Sequence, residues 1–141
     1  MVITAYIRLS TKGHGDIVDI TSDVAEAVER ANLRDGIATV FVPGSTGALT
    51  TIEYEPGMLR DLPELFEKLI PSNRRYHHDD TWGDANGFSH LRSALFGTSF
   101  TVPFSGKRLL LGTWQQIVFL DFDNRPRQRE LVVQIVGDGV Y

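Results

Sequence analysis

Three of the four histidines crowd one window: His77 and His78, followed by Asp79 and Asp80, with His90 a little further along. Imidazole is the commonest neutral metal ligand and also an acid or base near neutral pH. Two histidines plus a carboxylate, with one position open, would suit a catalytic zinc. No H-E-x-x-H or other fixed metal spacing accompanies them, so a solvated polar loop with one packing histidine stands beside the metal or acid–base reading. Asn86 and His90 are spaced i, i+4, which on a helix gives them one face, while Phe88 and Leu91 point elsewhere, toward the core. Such a pair at a helix start could face a cleft and favour an anion; equally, Asn86 could be a simple N-cap. Glu53 is a carboxylate inside a Thr/Ile/Tyr strand, and buried charge needs a partner. It is a metal ligand, a general base, a salt-bridge partner, or a residue on a strand face turned to water.

Three further groups could bind an anionic substrate. Gly44-Ser45-Thr46-Gly47 has small side chains and consecutive N–H groups that can form an anion nest, or it is an ordinary tight turn. Arg127 and Arg129, two apart on a strand, share a face and could clamp a phosphate, or they charge an edge strand against aggregation. Trp114 and Gln115 follow Gly112 at a strand entry, where Trp114 lines a pocket or, as is usual for Trp, joins the core.

The elements that must position these residues follow from periodicity. Residues 2–9, 37–43, 48–55, 98–104, 108–111, 115–122 and 130–136 read as strands, the last two as a hairpin around Asp123-Asn124-Arg125-Pro126. Val24, Ala27, Val28 and Ala31 mark a helix over 23–32. Leu62, Leu65, Phe66 and Leu69 mark a second, with Asp61 as N-cap, and Phe88, Leu91 and Leu95 a third over 86–96 that ends at Gly97. Pro71 to Asp84 has no periodicity, and such long loops tend to be functional or disordered. Strands at both ends with helices grouped between them predict an α+β fold with a mainly antiparallel sheet.

Composition narrows the classes. The chain has 141 residues, the length of a single domain, with 42% hydrophobic and 23% charged residues. It has no cysteine, which excludes disulfides, thiolate metal sites and Cys nucleophiles. Net charge is -4 and no basic stripe stands out, so nucleic-acid binding as the main function is not expected. Neither a signal-peptide pattern nor a membrane-length apolar run is present, and a cytoplasmic location is the default expectation.

Several segments together resemble one family. Thr50-Thr51-Ile52-Glu53-Tyr54-Glu55, Asp61-Leu62, Tyr76-His77-His78-Asp79, Ser89-His90-Leu91 with Leu95-Phe96-Gly97-Thr98-Ser99, Gly112-Thr113-Trp114-Gln115 and Arg127-Gln128-Arg129 match, in order and spacing, the YjbQ-like family. Members are often labelled secondary thiamine-phosphate synthase. The likeness runs from about residue 4 to 139. It implies an antiparallel β-sandwich with about three helices and a homotrimer. It further implies a site near subunit boundaries lined by Glu53, His78, His90, Asn86 and Arg129, at times holding a metal. The implied reaction joins a pyrimidine methyl pyrophosphate to a thiazole phosphate and releases pyrophosphate. Magnesium would neutralise that leaving group, or zinc would sit on His78, His90 and Glu53; no organic cofactor is implied. One departure is local: where many members carry a histidine before the Ser/Thr pair of the tight loop, this chain has Gly44.

Three functions follow as expectations. The first is the synthase-type enzyme, with His78, His90, Glu53 and Asn86 at the chemistry and Ser45, Thr46, Trp114, Gln115 and Arg129 on substrate. The second is metal-assisted hydrolysis of a phosphorylated small molecule. The third is a non-catalytic protein that holds a metal or phosphometabolite and is stabilised by it.

Overall fold

A computed structural model describes residues 1–140. Two antiparallel sheets carry the fold. The larger has the order β1 (Val2–Thr11), β8 (Arg127–Val140), β3 (Leu33–Phe41), β5 (Ser99–Ser105), β6 (Arg108–Leu109). The smaller has the order β2 (Asp16–Asp19), β7 (Gln116–Asp121), β4 (Gly47–Ile52). The helices are α1 (Thr21–Ala31), α2 (Pro56–Leu69), α3 (His77–Trp82) and α4 (Gly87–Phe96). The α+β class and the antiparallel sandwich agree with the sequence reading; the helices number four rather than three.

Strand alternation builds the core. Ile7 of β1, Leu131, Val133 and Ile135 of β8, Ala38 and Val40 of β3, and Val102 and Phe104 of β5 point inward from the larger sheet. They meet Ile117 and Phe119 of β7, Leu49 of β4 and the Val24, Val28 and Ala31 stripe of α1. The other face of β7, Val118 and Leu120, packs with Phe122 on Leu62 and Phe66 of α2. Thus β7 is buried on both faces, which is why it reads as a continuous apolar run. Phe66 holds this second cluster edge-on against Phe122 at 4.9 Å and Phe96 at 5.1 Å.

Several boundaries differ from expectation, each for a local reason. Helix α2 begins at Pro56, before Asp61, because the Glu55 carboxylate caps it. That carboxylate accepts the Gly57 N–H at 2.9 Å and also the Met58 N–H. Proline at the first position needs no N–H acceptor. Glu55, assigned to a strand face, is therefore a cap. The aperiodic stretch contains α3, which is too short for a period to show. Strand β2 is likewise short and exists through its pairing with β7. Strand β3 begins at Leu33, ahead of the expected start at residue 37, and Gly36 sits inside it: a Cβ there would stand 2.1 Å from Val136 O. The expected hairpin of the last two strands does not form, because β7 belongs to the smaller sheet and β8 to the larger. On α4, Phe88 is buried but Leu91 and Leu95 are 46% and 59% exposed, so only part of the apolar stripe faces this chain's core. Its buried face instead uses Ser89, Arg92 and Ser93. Arg92 Nε and Nη2 donate to Ile70 O at 3.1 and 2.7 Å, tying α4 to the end of α2. No helix among the described residues is long and apolar enough to cross a membrane.

Candidate active site

The chain crosses between sheets at two neighbouring places. Pro43 to Thr46 lead from β3 to β4, and Phe122 to Pro126 lead from β7 back to β8. Gly47 pairs with Asp121, so the crossings meet at one end of the sandwich. Two ion pairs brace this corner. Arg129 donates from Nε and Nη2 to the two Asp121 oxygens, both at 2.8 Å, and from Nη2 to Thr46 Oγ1 at 2.7 Å. Thr11 Oγ1 donates to Asp121 Oδ2 at 2.5 Å. Next to it, Arg127 pairs with Asp123, which also accepts from Asn86 Nδ2 at 3.3 Å and from the Asn124 N–H at 2.8 Å. Burial pushes the Asp121 carboxyl up, but the Arg129 and Thr11 hydrogen bonds and the guanidinium charge outweigh it and leave it below the usual carboxylate range. Asp123 behaves alike: burial opposes ionisation, and Asn124, Asn86 and Arg127 together prevail.

Helices α3 and α4 form the facing wall. Asp79 accepts the Tyr76 N–H and the Gly87 N–H, each at 2.9 Å, so one carboxylate caps α3 and fastens it to the first residue of α4. Gly87 permits the contact, since a Cβ there would lie 2.8 Å from Tyr76 Cβ and 3.2 Å from His78 Cβ. This clamp stacks the imidazoles of His78 and His90, with ring centroids 4.2 Å apart and a 32° tilt. Partial burial, then the charge of His78, lowers the pKa of His90; Asp123 and Asp84 oppose that shift. The shift favours the neutral form of the His90 imidazole. His78 Nδ1 and Asn86 Oδ1 are buried without a partner among the described residues, and buried polar atoms of this kind call for a water or a ligand.

Between the walls lies a cleft of about 480 Å³, with Gly44, Ser45 and Thr46 on one side, Asn86 and His90 on the other, and Arg125, Arg127 and Arg129 along the corner. The structure thus gathers Ser45, Thr46, Asn86, His90 and Arg129, with His78 behind His90. Asn86 occupies the N-cap position but makes no capping bond; its side chain turns to Asp123. Arg127 and Arg129 lie at the start of β8, where β1 is its one paired neighbour, and each is turned to an aspartate of the corner rather than standing free on an edge.

Glu53, Trp114 and Gln115 lie elsewhere. Glu53 is exposed and follows the last residue of β4, whereas Thr46 precedes its first. The two ends are roughly 20 Å apart along the strand. Gln115 Nε2 donates to Thr51 Oγ1 at 3.5 Å and Gln116 Oε1 accepts the Tyr54 N–H at 3.0 Å, which knits the Trp114 segment to the Glu53 end. Trp114 is 71% exposed, so its core reading fails.

The donor set decides how a metal would fit. His78 and His90 lie stacked, both Asp79 oxygens accept backbone N–H groups, and Glu53 is at the far end. Among the described residues no three His, Cys, Asp or Glu side chains are grouped to hold a metal ion. One chain alone does not bring the His78, His90, Glu53 set together.

Sequence reasoning passed over Asp121 and Asp123, although the rule that singled out Glu53 applies better to them. Both sit at the end of the apolar run Ile117-Val118-Phe119-Leu120-Asp121-Phe122-Asp123, where a charge must find a partner. Asp84 and Asn124 carry no such signal and come to the cleft through loop geometry alone.

Two sheets, an ion-paired corner and a histidine-walled cleft define an α+β protein with a polar cleft at one end of its sandwich. Its relatives agree with that architecture. The family model described as UPF0047 protein YjbQ-like matches residues 5–138. A UPF0047 protein of Archaeoglobus fulgidus is 42% identical over 128 residues, covering 91% of this chain and 97% of the relative. One from Methanocaldococcus jannaschii is 36% identical over 132 residues, covering 93% and 92%. The crystal structure of a YbjQ-like protein of unknown function from Sulfolobus solfataricus P2 superposes with a TM-score of 0.92 at 29% identity, covering 98% of this chain and 99% of that one. The chain belongs to the YjbQ-like UPF0047 family.

Proposed function

We propose that the cleft is the active site of a homotrimeric enzyme acting on a phosphorylated small molecule, with the thiamine phosphate synthase-type condensation as its reaction. The carrying observation is the stacked His78–His90 pair, in which the lowered pKa of His90 favours a neutral imidazole on a cleft shared with Ser45, Thr46, three arginines, Asp84 and Asp123. In this condensation the thiazole nitrogen bonds to the pyrimidine's exocyclic methylene carbon. The carbon–oxygen bond to pyrophosphate breaks and its electron pair leaves with pyrophosphate. The cleft arginines and loop N–H groups would hold phosphate oxygens, and a neutral His90 would hydrogen-bond the reacting groups without adding positive charge.

Exposed apolar residues support the trimer. Leu65, Leu69, Leu91 and Leu95 are 43%, 53%, 46% and 59% exposed. On the outer face of the larger sheet, Tyr6, Phe41, Ile37 and Val136 form exposed rows as well. Such area on a single chain marks an interaction surface. In a closed trimer, the Glu53, Trp114 and Gln115 end of one protomer would complete the histidine cleft of the next.

A second reading has its own support. Arg127 and Arg129 are each paired with an aspartate, which leaves few cations for a departing pyrophosphate and favours hydrolysis or retention of a monophosphate. The two readings part in one assay. Purified protein is given the pyrimidine pyrophosphate and thiazole phosphate, together and singly, with magnesium or zinc. Condensed product supports the synthase; phosphate release from one substrate alone supports hydrolysis; neither product sinks both enzymatic readings.

The pH profile tests His90. A base with a lowered pKa keeps kcat/KM level through neutrality and loses it only below the ordinary imidazole range. His78→Ala removes one of the causes of that shift, so the acid limb moves to higher pH. A limb that stays in place in the variant contradicts the coupling.

A further inference from the structure

Gly44 has no conformational reason to be glycine. Its φ is outside the left-handed region, and an added Cβ would meet only Arg129 Nη1 at 3.4 Å and Val42 Cγ2 at 4.0 Å, both ordinary contacts. The missing side chain therefore leaves open space directly over Arg129. That guanidinium is fixed and 8% exposed, with Nε and Nη2 held by Asp121 and Thr46. Its Nη1 makes no hydrogen bond among the described residues and borders the cleft. The same holds for the N–H groups of Ser45 and Thr46, which follow in the chain. Arg125, also on the cleft, makes no ion pair among the described residues.

We infer that Gly44 opens a phosphate subsite, in which one phosphate group sits over residue 44 against Arg129 Nη1, the Ser45 and Thr46 N–H groups and Arg125. Adjacent free N–H groups with a fixed guanidinium are the donor set that phosphate oxygens seek. Asp121 already neutralises Arg129, so Arg125 supplies the charge, while the fixed Nη1 and the adjacent N–H groups supply the donor geometry for a tetrahedral oxyanion. The Asp121 pair fixes Arg129 before the ligand arrives, so little ordering is required on binding. Residue 44 then sets ligand class: any side chain longer than a methyl occupies the position of the phosphate.

This subsite rests on the reading of the cleft as a phosphate-ester site, but its test does not depend on turnover. Inorganic phosphate is titrated calorimetrically at constant ionic strength into the full chain, into Gly44→Ala and into Gly44→Asp. The aspartate would place its own carboxylate on Arg129 Nη1, and an undiminished urea midpoint would show that the variant is folded. Binding to the wild type, retained within about threefold by Gly44→Ala and weakened about tenfold or more by Gly44→Asp, is the expected result. Equal affinity in Gly44→Asp, or no binding to the wild type, overturns the subsite. Acetate binding as tightly as phosphate overturns the ligand class. Phosphate held by a protein that turns over no substrate would leave the subsite standing and remove the enzyme.

Discussion

Arg129→Met is expected to lower stability by about 3–5 kcal/mol, because it leaves a buried carboxylate without its counter-ion. Asp121 is fully buried and both of its oxygens are held by Arg129. With the guanidinium gone, Thr11 is the remaining side-chain donor to Asp121. The measurement is urea unfolding, where the midpoint should fall with little change in slope. A companion double variant, Arg129→Met with Asp121→Leu, removes both charges and should recover much of the loss. The pH dependence has a definite sign. The lowered pKa of Asp121 contributes stability that is present above the unfolded carboxyl pKa and lost as pH falls through the folded one. The wild type should therefore lose its advantage over the single variant in acid. A loss below about 1 kcal/mol at neutral pH would mean that the pair does not compensate a buried charge.

His90→Ala should cost about 100-fold or more in turnover while the protein stays folded, since a positioned acid or base contributes that much. The ring is partly exposed and its backbone remains in α4, so packing loss is small. His78→Ala should be milder, because His78 acts through its stacking on His90 rather than from the cleft wall. Unchanged turnover in His90→Ala, with circular dichroism like the wild type, would remove His90 from the chemistry.

The parts of the fold that are legible in the sequence are those whose partners lie within the chain. Val24, Val28 and Ala31 predict α1 and are buried. Helix α4 is also legible, yet Leu91 and Leu95 mislead about its inner face, since helical spacing does not say which apolar residues the rest of the chain reaches. The β7–β8 hairpin is misread because a turn sequence says that the chain reverses, not that both strands stay in one sheet. The buried charges of Asp121, Asp123 and Arg129, with half-buried Arg127, carry that information, through pairs formed across the corner. For the site, the Asn86–His90 spacing offers a shared face as one of two readings, beside a plain N-cap for Asn86, and both residues line the cleft. Joining Glu53, Trp114 and Gln115 to them requires knowing which end of β4 each occupies, and alternation along a strand gives the face, not the end.

That separation gives the central claim its most direct test. Glu53→Gln and His90→Ala are prepared as separately inactive homotrimers, each expected at about three times the 15.8 kDa chain mass. They are then mixed in equal amounts under conditions where subunits exchange. If each cleft takes its histidines from one protomer and Glu53 from the next, random mixing restores about a quarter of wild-type activity, since one site in four joins two intact contributors. No recovery after demonstrated exchange, or full activity in Glu53→Gln alone, would contradict a site shared between protomers.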